Sequence, residues 1–103
     1  MALLKKYSAN KKTCHVTFIL PREIGANFEE ISVVGDFNDW DPHANRMTEN
    51  QPDGSYSTTI NLEAGKEYQF KYLLDGDQWL NEPDADKQVD TYISNSKNSV
   101  INV

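Results

Sequence analysis

The sequence predicts an all-β fold, an antiparallel β-sandwich of six to eight short strands in a single domain. Three observations predict it. Apolar residues recur at every second position in successive stretches, clusters of Gly, Pro, Asn and Asp separate those stretches at intervals of roughly ten residues, and no stretch carries a helical period. A chain of 103 residues has material for one core and not for two.

The first twelve residues hold Lys5, Lys6, Lys11 and Lys12 and read as a solvated Lys-rich tail, so the domain itself is expected over 13–103. Over residues 13–20, Cys14, Val16, Phe18 and Leu20 share one face, the signature of a half-buried strand that Pro21 ends. Residues 22–29 are polar and too short for a stable helix, and read as a connection. Ile31 to Phe37 form the next strand, β-branched at Ile31, Val33 and Val34. Strand phase sends Val33 and Phe37 to the core.

Residues 38–45 are turn formers with Trp40 among them, placed past a polar break and so expected to leave the core. A short edge segment follows around Arg46 to Glu49. In the turn Pro52-Asp53-Gly54, proline presets φ, aspartate bonds its own backbone and glycine takes the positive φ. Tyr56, Thr58, Ile60 and Leu62 then alternate along a strand, and Glu63 to Lys66 turn the chain. The clearest strand is Glu67 to Leu74, with Tyr68, Phe70, Tyr72 and Leu74 inward and Gln69, Lys71 and Leu73 outward. Asp75-Gly76-Asp77 signals a hairpin into Trp79 and Leu80. Pro83 to Lys87 read as loop, Val89 to Ile93 as a short strand, Ser94 to Ser99 as a polar loop tip, and Val100 to Val103 as the last strand.

Charge narrows the partners. The net charge is −6, and from Thr13 onward 16 acids face 6 bases, giving −10. Such a body repels a phosphate backbone, so nucleic acid is not an expected partner. No apolar run approaches the ~20 residues needed to cross a bilayer, so no membrane association is expected. The start lacks the apolar core of a secretory signal, Cys14 has no second cysteine to pair with, and no Asn-x-Ser/Thr acceptor occurs. A cytoplasmic location is the default expectation.

The usual catalytic and metal-binding patterns are missing. His15 and His43 have no zinc-ligand spacing around them. Asp36-x-Asn38 and Asp84-x-Asp86 begin like calcium loops, but their sixth positions are Asp41 and Val89 rather than Gly. There is no Gly-x-Ser-x-Gly elbow, and Cys14 is expected buried and inert. Glycoside hydrolysis needs two carboxylates across a cleft, for which a chain this short has little material. Neither catalysis nor a cofactor is expected.

A surface constellation remains: Trp40 in a loop, Lys71 on the outward face of the best strand, Trp79 after a hairpin turn, and Asn95 or Asn98 near the end. Indoles are flat and rigid and can cover the C–H face of a pyranose, while Lys and Asn serve its hydroxyls. The competing reading is that both tryptophans are ordinary core or rim residues.

The stretches VVGDFNDW (Val33 to Trp40), EYQFKYLLDGDQW (Glu67 to Trp79) and the terminal NSVINV resemble the glycogen-binding carbohydrate module shared by the β subunit of AMP-activated protein kinase and the N-terminal early-set domains of isoamylases and branching enzymes. The chain also resembles short free-standing bacterial members of that family. The resemblance runs from about Thr13 to Val103 and implies an immunoglobulin-like early-set β-sandwich. It also implies that Trp40, Lys71, Trp79 and Asn98 hold the sugar. Two departures stand out. The turn Asp75-Gly76-Asp77-Gln78 is one residue longer than the kinase-type Asp-Gly-Gln, which implies a shifted Trp79. Ser94 stands where those modules carry a leucine that threads the sugar ring, which implies loss of that contact.

The expectation is therefore non-catalytic binding of an α-1,4-glucan, such as glycogen, starch or a maltooligosaccharide. The alternative is a protein-interaction or regulatory sandwich that docks onto a glucan-metabolising enzyme.

Overall fold

The computed structural model describes residues 1–91 and 96–103. Among them the chain forms nine strands: β1 (Ala2–Tyr7), β2 (Thr13–Leu20), β3 (Ile31–Gly35), β4 (Thr48–Glu49), β5 (Tyr56–Glu63), β6 (Glu67–Leu74), β7 (Gln78–Leu80), β8 (Lys87–Asp90) and β9 (Lys97–Asn102). They build two antiparallel sheets. One has the order β1-β2-β5-β4; the other has the order β3-β6-β9-β8, with β7 also paired to β6. The all-β antiparallel sandwich read from the sequence is the fold.

The alternation within each strand fixes which face is buried. Cys14, Val16, Phe18 and Leu20 of β2 are fully buried, as are Phe70 and Tyr72 of β6 and Ile101 of β9. Phe18 lies at the centre, with ring centroids 5.2 Å from Phe70 and 5.9 Å from Phe37. The Tyr72 hydroxyl donates to Glu82 Oε1 at 2.7 Å, and burial pushes the phenol's pKa up. Glu82 Oε2 accepts from the Asp84 N–H at 3.1 Å, so the buried carboxylate is doubly satisfied.

Several expectations are corrected. The Lys-rich start is not a free tail along Ala2–Tyr7: it is the edge strand β1, registered on β2 from Ala2↔Ile19 to Tyr7↔Cys14. This strand is the one in excess of the expected six to eight. Arg22–Gly25 closes a single helical turn rather than an irregular connection, because the Gly25 N–H reaches the Pro21 carbonyl at 3.0 Å. The strand expected over Ile31 to Phe37 stops at Gly35, where residues 36–38 turn into a 3-10 helix. Lys97, Asn98 and Ser99, expected in a loop tip, open β9. Strand β8 begins two residues before Val89; Ile93, Ser94 and Asn95 lie outside the described residues.

The phase of β3 has its own explanation. All five of its residues are buried, so both faces are covered. Residues 45–47 run back along its free edge, with the Val33 N–H donating to Asn45 O at 2.9 Å and the Met47 N–H to Ile31 O at 2.7 Å. The loop that carries Trp40 is thereby laid against β3 before the chain crosses to β4 in the other sheet.

Candidate functional site

Two connections, the loop after β3 and the β6–β7 hairpin, and two strands, β6 and β9, position the site. At the end of β3, Gly35 is extended, and its role is space: a Cβ there would meet the Gln69 carbonyl oxygen and sit 2.8 Å from Phe70 Cβ. The chain can therefore press onto β6 before it turns. Asn38 holds the turn from within. Its Oδ1 accepts from the Gly35 N–H at 3.0 Å, and its Nδ2 donates to Val33 O at 2.9 Å and Asn45 Oδ1 at 2.8 Å. Phe37 is thrown inward onto Phe18 and Tyr68, so it does join the core, by way of the turn rather than by strand alternation.

Asp39 and Trp40 then take left-handed backbone conformations, with φ of 56° and 58°. For a bulky side chain that costs about 1 kcal/mol. Two bonds hold it: the Trp40 N–H donates to Gly35 O at 3.0 Å, and the indole Nε1–H donates to Asp36 Oδ1 at 3.2 Å. The other Asp36 oxygen accepts from the Gln69 N–H at 2.8 Å, which ties the loop to β6. The result is a half-buried Trp40 lying toward the outward face of the five-stranded sheet.

Lys71 projects from that face of β6, half-buried. Its Nζ donates to Ser96 Oγ at 3.0 Å and lies 5.9 Å from the centroid of the Trp79 ring. Burial holds the Lys71 ammonium below its ordinary pKa. The hairpin after β6 sets Trp79. Asp75 and Gly76 both have positive φ, and Asp75 Oδ1 accepts from the N–H groups of Glu29 and Glu30 at 2.8 and 2.9 Å. Leu74 then pairs with Gln78 and Leu73 with Trp79, so Trp79 points outward as Leu73 and Lys71 do. Its side chain is 55% exposed. The longer turn thus leaves the indole on the same side as Lys71.

Asn98 comes from β9. Its Nδ2 donates to Gln69 Oε1 at 3.0 Å. A polar cluster ties Asn81, just after β7, to β9: Ser99 Oγ donates toward Asn81 Oδ1 at 3.1 Å, and Asn81 Nδ2 donates to Lys97 O at 3.0 Å.

These four side chains converge. Trp40, Lys71, Trp79 and Asn98, together with Thr91 and Ser96, line one cleft of about 430 Å³. All four residues singled out in the sequence are brought together. Asp36, Asn38 and Gln69, which brace them, and Thr91 and Ser96, which share the lining, were not singled out as site residues. Asn38 was legible only as a turn former, and Asp36 only as part of the expected strand and of a calcium-loop-like start. Ser94, the expected departure in the sugar-threading contact, lies outside the described residues.

The structure therefore presents an aromatic-walled cleft with an ammonium and an amide at its floor, on one sheet of an antiparallel sandwich. The model of a family described as the glycogen recognition site of AMP-activated protein kinase matches residues 24–103, and the chain belongs to that family. No curated protein matches the chain.

Proposed function

We propose that the protein is a non-catalytic module that binds α-1,4-glucan, glycogen or starch, through this cleft. Trp40 and Trp79 stack on pyranose C–H faces, while Lys71 and Asn98 hydrogen-bond the hydroxyls. The observation that carries the reading is the convergence of four side chains, distant in sequence, on one cleft. Family membership supports the ligand class. The described lining carries no carboxylate, thiol or imidazole, which favours binding over hydrolysis. Two stacks on an open surface give micromolar to millimolar affinity, roughly −8 to −4 kcal/mol. A polymer compensates by offering many sites.

Electrophoresis through a native gel containing glycogen tests this. Wild type is retarded by the polymer, and Trp40→Ala and Trp79→Ala each lose at least about tenfold in affinity, as truncation of an aromatic anchor does. Trp79→Ala keeps its thermal midpoint, because the indole is 55% exposed. Equal migration of wild type and both variants with and without glycogen sinks the proposal. Capture of a glucan-metabolising enzyme that competing maltooligosaccharide does not disturb would instead support the docking alternative.

A further inference from the structure

The cleft continues toward β8. A second hollow, also about 430 Å³, is lined by Gln69, Val89, Asp90, Thr91 and Asn98, and so shares Thr91 and Asn98 with the first. The sheet register explains the continuity. Asn98 stands opposite Val89, and Gln69 stands opposite Val100, two positions along β9 from Asn98. Period-two alternation therefore puts Gln69, Asn98 and Val89 on one outward face of three neighbouring strands. The hollow beside β3, whose lining includes Glu30, His43 and Leu73, shares no described lining residue with the cleft. A linear polymer seated in the cleft has to leave it, and one continuous path among the described residues runs across β9 to β8.

We propose that this second hollow is an extension subsite for the same α-glucan chain, taking the glucose units that follow those held between Trp40 and Trp79. The inference rests on the glucan-binding reading above and adds which way the chain runs and what holds it there. Val89 is half-buried and offers an apolar surface to a pyranose C–H face. Asp90 and its ion-pair partner Lys97 have the opposite strand parity from Val89 and Asn98, so Asp90 borders the hollow without aiming its carboxylate along that face. Gln69 accepts from Asn98 through Oε1, which turns its own NH2 group outward as a donor. Asn98 lies between the two hollows and serves both.

Calorimetric titration of wild type, Val89→Ser and Val89→Asp with maltotriose and maltoheptaose decides the matter. Wild type binds maltoheptaose more tightly than maltotriose. Val89→Ser loses about threefold of the maltoheptaose affinity, the size of one lost apolar contact, and leaves maltotriose unchanged. Val89→Asp, which puts a charge where the pyranose face would rest, loses more of the chain-length gain. An undiminished gain in Val89→Asp, or equal weakening of both sugars, overturns the inference while the cleft itself stands. Equal affinity of wild type for the two sugars does the same. If wild type binds neither sugar, the glucan reading falls and the extension subsite falls with it.

Discussion

The outward faces of the two sheets are built from the same alternation and end up unlike each other. On the four-stranded sheet, Thr17 of β2 faces Thr59 of β5, with their hydroxyls 2.9 Å apart, and the His15 ring bonds the Asn61 amide oxygen. Polar groups there satisfy one another across strands. On the five-stranded sheet, the 36–47 loop and β7 bring Trp40 and Trp79 to either side of Lys71, and the polar groups at the cleft floor keep donors and acceptors to spare. Strands alone supply a face; a cleft needs connections that overhang it. Asp39, Trp40, Asp75 and Gly76, all at positive φ, shape the two connections that overhang this sheet.

The first way to break this contrast is to attack what the two faces share. Phe18 sits between the sheets, fully buried against Phe70, Tyr72 and Phe37. Phe18→Ala is expected to cost about 3–5 kcal/mol, read as a lower urea midpoint. Glucan binding should then fail only in proportion to the unfolded fraction. A stable Phe18→Ala protein that has lost binding would show that the core transmits to the cleft in a way the comparison does not contain.

The two regions were also unequally legible in the sequence. Alternation in β2, β5 and β6 could be read because one face of each strand is buried and the other is wet. β1 escaped because Leu3, Lys5 and Tyr7 occupy its inward parity, and only Leu3 looks apolar; Lys5 reaches across to an acid of the other sheet instead. β3 hid its phase because the loop buries Val34 on the outward side, so both valines read alike. For the site, composition offered aromatics and a lysine without saying that they meet. The resemblance to known modules supplied that grouping. The bracing roles of Asp36, Asn38 and Gln69 depend on how one loop lies on β6, and no local pattern encodes that.

A smaller perturbation sharpens the contrast by taking one outward residue from each sheet. Burial disfavours the charged form of Lys71, so the folded state holds that ammonium at some cost. Lys71→Met keeps the aliphatic stem and removes the charge. It should lower maltoheptaose affinity by about tenfold, the loss of one charge-assisted hydrogen bond, while the urea midpoint stays level or rises. Thr59→Val on the other sheet should leave affinity unchanged. A destabilised Lys71→Met or a binding-deficient Thr59→Val would erase the division of labour between the faces.

The least effect is expected where the two sheets are pinned together, away from either face. Asp86 Oδ2 accepts from Lys5 Nζ of β1 at 2.8 Å and from the Asn102 N–H of β9 at 2.7 Å. Burial alone would raise the Asp86 pKa, but the Asn102 N–H and the Lys5 ammonium outweigh it and hold the carboxyl below its ordinary value. The sign follows from linkage. In the unfolded chain Asp86 takes up its proton near pH 4, while in the folded chain it resists until lower pH, so acid favours unfolding. The contribution is complete above about pH 5 and is lost as pH falls through the unfolded and then the folded pKa. Asp86→Asn keeps an acceptor for Asn102 and loses the ion pair. Its stability deficit relative to wild type should be at most about 1 kcal/mol near neutrality, because both side chains remain partly in water, and should shrink as pH falls below the ordinary carboxylate range. Other acid-sensitive groups such as Asp53, whose carboxyl is held low by Ser55, act equally in both proteins and cancel. Urea midpoints of the pair across that range check it. A deficit that does not change with pH would mean that Asp86 joins the sheets by shape and hydrogen bonding rather than by charge.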